Sequence, residues 1–252
     1  MPEPDVMSGA AAWSSPGGPH GALVLHDFTG NPQSMRGLAE AFARAGFTVE
    51  LPRLPGHGTT IDDMTTTTWD DWSAAAEAAF VELASRVERI VVAGLSMGGG
   101  LTLWLASRHP DVAGIVLINA IAEPSAPEIV TMIRQMLADG ATTIDAIGND
   151  IAEPGQVENA YDKTPLAAAA SMFDAIDALQ SSLGSIRCPA LVMNSPQDHV
   201  VQPSNSDHLA ATLGGPVERV SLERSYHVAT LDYDRDLIEE RAVEFAVRVC
   251  GS

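Results

Sequence analysis

The chain has 252 residues, 46% of them hydrophobic and 19% charged, a balance that describes a folded globular protein and excludes bulk disorder. Its 14 Lys and Arg against 33 Asp and Glu leave a formal charge of −19, which repels phosphate backbones and anionic headgroups; nucleic acid is excluded as a partner, as is a polybasic membrane anchor, and the excess acidity reads as a solvated surface. Cys188 and Cys250 are the only cysteines, no apolar run approaches the ~20 residues that cross a bilayer, and the N-terminus lacks the basic start and long apolar core of a secretory signal, so the expected setting is the cytoplasm, with two free thiols.

A Pro/Gly/Ser-rich arm that includes His20 precedes the first apolar run, "GALVLHDF" from Gly21. The helical pattern "SMRGLAEAFARAG" follows and stops at Gly46 in the manner of a C-terminal cap. Next come a strand from Phe47 and the helical stretch "TTWDDWSAAAEAAFVELASRV", with Trp72, Ala76, Phe80 and Leu83 on one stripe. A strand from Arg89, the helix "MGGGLTLWLASRH" and a strand from Ala113 complete the first half. From Ile121 to Gln180 there is no strand candidate, only Pro-punctuated helical segments. Strands then resume at Pro189, opened by a core Cys188, and at Val217. Continuous apolar runs alternating with helices predict a mostly parallel sheet buried on both faces, an α/β architecture. The expected division is a core of residues 1–120 and 181–252, with 121–180 forming a helical cap over the sheet's C-terminal edge, where open α/β sheets bind ligands.

The sharpest local signal is "VVAGLSMGGG". Gly94, Ser96 and Gly98 give G-x-S-x-G directly after a strand and before a helix, the context this motif needs to lift a serine hydroxyl above a sheet. The helix N-terminus places the Met97 N–H where it can meet a developing oxyanion. A serine needs a base, and the base an acid to hold its tautomer. His227 in "ERSYHVATLDYD" follows the last strand and Asp198 in "NSPQDHVVQP" the one before it, so Ser96, Asp198 and His227 stand in the chain order of the α/β-hydrolases. Of the other histidines, His109 ends a helix, His208 lies within one, His199 should point away from Asp198, His57 reads as a structural turn residue, and His26 as a buttress of the turn that follows it.

Together, "HDFTGNPQSMRGLAEAFARAGFTVELPRLPGHGT", "GLSMGGGLTLWLASRHP", "DHVVQP" and "SYHVATLDYD" resemble the bacterial monoacylglycerol lipases and the similar small-cap carboxylesterases. The resemblance covers most of the chain and weakens in the first ~20 residues and in the cap from about Glu123 to Val157. It implies the α/β-hydrolase fold with a small helical cap, a Ser96–Asp198–His227 triad, and an oxyanion hole from the N–H groups of Phe28 and Met97. It also implies that Glu158, in "ENAYDKTP", contacts a glycerol head and that Ile147 lines an acyl tunnel. The implied reaction is hydrolysis of a small-molecule ester, a monoacylglycerol first and a short-to-medium-chain acyl ester as the alternative, through an acyl-enzyme and with no cofactor or metal. Peripheral contact with lipid aggregates through an apolar cap is compatible with it.

Asp27 departs from the pattern, since relatives carry Gly after the strand-ending His. A carboxylate facing the oxyanion hole would oppose the transition-state charge. The expectation is that the turn at Asp27 tolerates left-handed backbone and that the side chain turns outward toward Arg36 or Arg53, leaving the Phe28 N–H free. A non-catalytic, ligand-binding hydrolase relative is the reading that follows if it does not.

Overall fold

The apolar runs become strands because helices cover both faces of the sheet they form. The computed structural model describes residues 4–251. Among them the strands are β1 (Trp13–Ser15), β2 (His20–Leu25), β3 (Thr48–Leu51), β4 (Arg89–Leu95), β5 (Gly114–Ile118), β6 (Thr143–Asp145), β7 (Lys163–Pro165), β8 (Ala190–Asn194) and β9 (Val217–Ser221). The helices are α1 (Arg36–Arg44), α2 (Ile61–Met64), α3 (Trp69–Ala84), α4 (Met97–Arg108), α5 (Pro127–Ala138), α6 (Leu166–Leu179), α7 (Ser204–Thr212) and α8 (Arg235–Cys250). The main sheet runs β1-β3-β2-β4-β5-β8-β9, parallel throughout except for β1, which pairs antiparallel with β3.

Period-two alternation along the strands divides the core in two. Leu23, Leu25, Val92, Ile115, Leu117 and Val192 face the layer that holds Trp72, Phe80, Leu83, Leu101 and Ile176 of α3, α4 and α6. Ala22, Val24, Val91, Ala93, Val116 and Ile118 face Leu38 and Phe42 of α1 and Ile238, Ala242 and Phe245 of α8. On α3 the expected stripe is buried as read, and the helix opens with the Thr68 N–H donating to Asp71 Oδ2 at 2.9 Å. Gly46 ends α1 at φ +91°, where a side chain would be strained.

Three expectations need correction. The arm contains β1, a three-residue edge strand with no apolar alternation to announce it, and His20 opens β2 rather than lying in the arm. The segment from 121 to 180 is not wholly helical: β6 and β7 pair antiparallel, Ile144 opposite Thr164. These strands are three residues each and 17 residues intervene, so neither a period-two run nor a turn signal marks them. Cys188 is half-buried and lies two residues before β8.

The parallel register sets Leu25 opposite Gly94, Leu95 opposite Ile118, and Ile118 opposite Met193. The loops after β2, β4, β5, β8 and β9 therefore leave from one edge, and every candidate group of the site lies on or above that edge. Trp72 is fully buried, its Nε1 donating to Pro55 O at 3.1 Å beneath the loop after β3. Trp72→Ala is expected to cost about 3–5 kcal/mol, read as a lower urea midpoint with unchanged slope.

Candidate active site

Ser96 joins β4 to α4 with φ 53° and ψ −116°, backbone that a non-glycine residue adopts only under constraint. Its N–H donates to Ile118 O at 3.0 Å, and its carbonyl accepts from the N–H groups of Gly99, Gly100 and Ile121 at 3.0–3.2 Å. A Cβ at Gly94 would lie 2.0 Å from Gly98 O, one at Gly98 2.2 Å from Leu25 O, and one at Gly99 2.4 Å from the Ala120 Cβ. Gly94 and Gly98 are thus demanded by backbone approaching backbone and Gly99 by the Ala120 side chain, and the turn raises the Ser96 hydroxyl into a cavity at the sheet edge.

Asp198, in the loop after β8, accepts at Oδ1 from the N–H groups of Val200 and Val201, both at 2.8 Å, and at Oδ2 from His227 Nδ1 at 2.8 Å. The two side chains are 1% and 7% exposed. A carboxylate at Nδ1 keeps the proton on that nitrogen and leaves Nε2 unprotonated. His227 and Ser96 line the same cavity, with no hydrogen bond between them among the described residues. Catalytic contacts of this kind commonly tighten only with substrate in place.

Residues that sequence reasoning missed hold these loops. Asn119, directly after β5 at φ 41°, donates from Nδ2 to His227 O (2.8 Å), Tyr226 O and Ser195 Oγ, and accepts from Ser195 N at 2.8 Å. Asp150, between β6 and β7, accepts from the backbone N–H of His227 (3.0 Å) and of His199 (3.2 Å), and from His199 Nδ1. Asp232 accepts from the N–H groups of Ala152, Glu153, Tyr226 and Tyr233. An Asn at the end of an apolar strand was a readable signal for the first. The other two act across 49 to 80 residues of sequence and had none.

Behind the turn after β2, His26 accepts the Leu54 N–H at Nε2 (3.1 Å), which leaves Nδ1 to donate to Asp27 O (3.0 Å). His57 donates to Pro55 O at 3.0 Å and meets the rings of His26 and Trp72 edge-on at 5.0 and 5.3 Å. Both imidazoles are neutral: burial pushes His26 well below the ordinary value and His57 down to about 4. They buttress the turn, as expected of them. The N–H groups of Phe28 and Met97 reach no protein acceptor among the described residues, and Phe28 lines the cavity beside Ser96.

Asp27 does not turn toward an arginine. It is 4% exposed, its Oδ1 accepts from Ser34 Oγ at 2.6 Å, and it borders the cavity. Arg36 is engaged with Glu40 and Arg53 with His57 O, while the serine hydroxyl is a buried donor within reach. The left-handed residue of this turn is Thr29 (φ 66°), so Asp27 itself needs no glycine-like backbone. Glu158 reaches the cavity from the segment between β6 and β7, beside Asp27, and burial together with the Asp27 charge pushes its carboxyl well above the ordinary range. Ile147 is 72% exposed and sits at the cavity's rim.

The cavity measures about 530 Å³, and Met132, Ile133, Ile144, Met172 and Phe173 make its wall mostly apolar. With this geometry the comparisons with known proteins agree. Residues 23–146 match the α/β-hydrolase fold family. Over 98% of both chains the sequence is 46% identical to a thermostable monoacylglycerol lipase of Bacillus sp. (strain H-257). The chain belongs to the α/β hydrolases. This hydrolase is also 28% identical to a carboxylesterase of Bacillus subtilis (strain 168), over 91% of its own length and 93% of that protein's. The solved structure of a metagenome-derived lipolytic enzyme superposes with a TM-score of 0.92 at 42% identity, covering 97% of this chain and all of that one. A monoacylglycerol lipase of Paleococcus ferrophilus, 18% identical over 94% of this chain and 99% of that one, shares the fold at a TM-score of 0.78. The hydrolase is thus a homologue of the bacterial monoacylglycerol lipases and carboxylesterases.

Two predictions follow from the buried polar groups. The unfolded chain protonates its imidazoles near the ordinary 6.5, the folded one only at lower pH, so below about 6.5 unfolding takes up protons. Stability is therefore complete above that pH and falls toward pH 4, by up to about 1.4 kcal/mol per pH unit for each imidazole. Urea midpoints between about pH 7 and about pH 5 should show the decline, and His57→Gln should make it shallower. Asp150→Ala should cost about 1–3 kcal/mol, because it strips acceptors from two backbone N–H groups, and should lower kcat by loosening the His227 loop.

Proposed function

We propose that the hydrolase cleaves monoacylglycerols to fatty acid and glycerol, with Ser96 as nucleophile, His227 as base and Asp198 as its orienting acid. The observation that carries this reading is the junction of three features at one cavity: a serine on a strained strand-to-helix turn, a buried Asp–His pair, and a mostly apolar wall around about 530 Å³. Carboxylic ester hydrolysis is the chemistry named for the Bacillus lipase and carboxylesterase to which it is similar. Ser96 Oγ attacks the acyl carbonyl as its proton passes to His227 Nε2. The N–H groups of Phe28 and Met97 donate to the oxyanion, and collapse expels the alcohol, which takes the proton back from His227. Water, deprotonated by the same imidazole, then attacks the acyl-enzyme and releases the acid. Each acyl methylene buried in the cavity contributes about 0.8 kcal/mol, so chain length is read by the wall. No cofactor enters the scheme.

The division proposed for these roles is a core of 1–120 and 181–252 that carries the triad and a 121–180 cap that supplies most of the wall. In this reading Glu158 takes the alcohol end and Ile147 the mouth; both line the cavity. Ile129, Met132 and Ile147 are exposed apolar residues around that mouth, which supports peripheral contact with lipid aggregates; among the described residues no helix is long and apolar enough to span a membrane. Two free cysteines fit a cytoplasmic setting. A general carboxylesterase is the second reading, favoured by Glu158, whose carboxyl lies against Asp27 rather than open to two substrate hydroxyls.

Initial rates of acid release from glycerol monolaurate, the matching di- and triglycerides and a short-chain p-nitrophenyl ester test the assignment, with Ser96→Ala as blank. The expected result is a monoglyceride preference of about tenfold or more in kcat/KM over the triglyceride, and fluorophosphonate labelling that Ser96→Ala abolishes. Turnover confined to the short ester would favour the second reading; turnover that survives Ser96→Ala would overturn both.

A further inference from the structure

The turn after β2 is faced by a stretch of chain that pairs with it as an edge strand would. In the segment between β6 and β7, Val157, Asn159 and Tyr161 meet Gln33, Asn31 and Thr29 in reverse order. Gln33 Nε2 donates to Val157 O at 3.4 Å and Gln33 Oε1 accepts from Asn159 N at 3.1 Å. Asn31 Nδ2 donates to Asn159 O, and Tyr161 N donates to Thr29 O at 3.1 Å. Two side-chain amides thus replace the backbone groups of an antiparallel ladder, and the intervening Glu158 and Ala160 line the cavity.

Tyr161 makes the grip that bears on chemistry. It is buried, and its hydroxyl accepts from Thr59 N and donates to Gly56 O, both at 2.8 Å. The loop so fixed, between β3 and α2, supplies the Leu54 N–H that His26 Nε2 accepts at 3.1 Å and the His57 ring that meets His26 edge-on at 5.0 Å. His26 Nδ1 in turn donates to Asp27 O at 3.0 Å. In a planar trans peptide the N–H points away from the carbonyl, so a donor on Asp27 O aims the Phe28 N–H the other way, where no protein acceptor among the described residues meets it. Thr29, the next residue, is left-handed at φ 66°, a conformation that a β-branched residue keeps only where its surroundings hold it. The hold on its carbonyl is the Tyr161 N–H. One residue therefore braces the Phe28 turn from both sides, before it through the hydroxyl, the loop and His26, and after it through the amide.

We propose that Tyr161 is a positioning residue for the oxyanion hole, acting through the turn that carries the Phe28 N–H and not on the substrate. The inference rests on the ester-hydrolase reading above, in which that N–H donates to the oxyanion. Such a donor helps only where charge develops, so a small swing of its peptide weakens the transition state and leaves the bound substrate alone.

Tyr161→Phe removes the hydroxyl and keeps the ring and the backbone. With p-nitrophenyl butyrate it should lower kcat about tenfold and leave KM within about twofold, a smaller loss than the ~10²–10³ that removal of an oxyanion donor costs. A trifluoromethyl ketone takes Ser96 Oγ at its carbonyl carbon while the serine proton passes to His227 and the carbonyl oxygen becomes an oxyanion. Its affinity should fall about tenfold alongside kcat, while 1-decanol, a probe of the apolar wall that forms no oxyanion, should bind as before. Asn31→Ser keeps a side-chain oxygen for the Gln33 N–H but does not reach Asn159 O, and should lower kcat and ketone affinity together by about threefold. Urea midpoints of both variants separate activity from folding. Values of kcat and ketone affinity that stay at the wild-type level in both variants, at whatever cost in midpoint, overturn the proposal. Equal losses of ketone and decanol affinity also overturn it, by making Tyr161 part of the binding wall. Wild type without Ser96-dependent turnover of the butyrate ester removes the ester-hydrolase reading itself, and this inference with it.

Discussion

At Ser96 the backbone is held where a serine goes only when its neighbours insist. One carbonyl accepts three N–H groups, one N–H is fixed to the adjoining strand, and helix α4 presses its first turn against the bare backbone of β2. A helix axis that close to a sheet is possible only with glycines at 94, 98 and 99. The strain, of order 1–3 kcal/mol, is offset by the packing of the whole central sheet, which lies buried on both faces. Because the register of β2, β4, β5 and β8 is continuous through this point, a shift at Ser96 would propagate to the turns carrying Phe28, Asn119 and Asp198.

The acidity of the chain is not all spent on solvation. Asp27, Asp198, Asp232 and Asp234 are buried, and most of their oxygens accept backbone N–H groups or hydroxyls rather than pairing with cations. Loops that carry functional side chains lack a ladder for their amides, and a short carboxylate can accept from two or three of them at once. The conspicuous ion pairs, such as Arg36 with Glu40 or Arg134 with Asp174, are half-exposed and add little to stability. The carboxylates that organise the site are those without an arginine.

Legibility followed the range of the interactions. The central strands, the stripe on α3, the Gly46 cap and the strand–turn–helix around Ser96 all depend on neighbours in sequence, and each is visible as a period or a punctuation mark. The order Ser96, Asp198, His227 was readable because strand ends are readable. Strands β1, β6 and β7 were not, being three residues long with pairing partners far away in sequence. Asp27 is the instructive case. Arginines at positions 36 and 53 made an outward ion pair look reasonable, but the partners that matter are a serine seven residues on and a glutamate more than a hundred residues away, brought over it by the segment between β6 and β7.

Asp150 belongs to the insertion yet accepts the N–H of His227, and its own carbonyl accepts from Val228 at 3.1 Å. The segment between β6 and β7 is therefore wired into the loop that carries His227. Cap exchange between hydrolases is an attractive way to transplant substrate range onto a stable chassis. In this chain a graft that omitted an acceptor at that position would deliver a new binding wall over a misaligned imidazole, so the natural unit of exchange is the insertion together with the loop after β9.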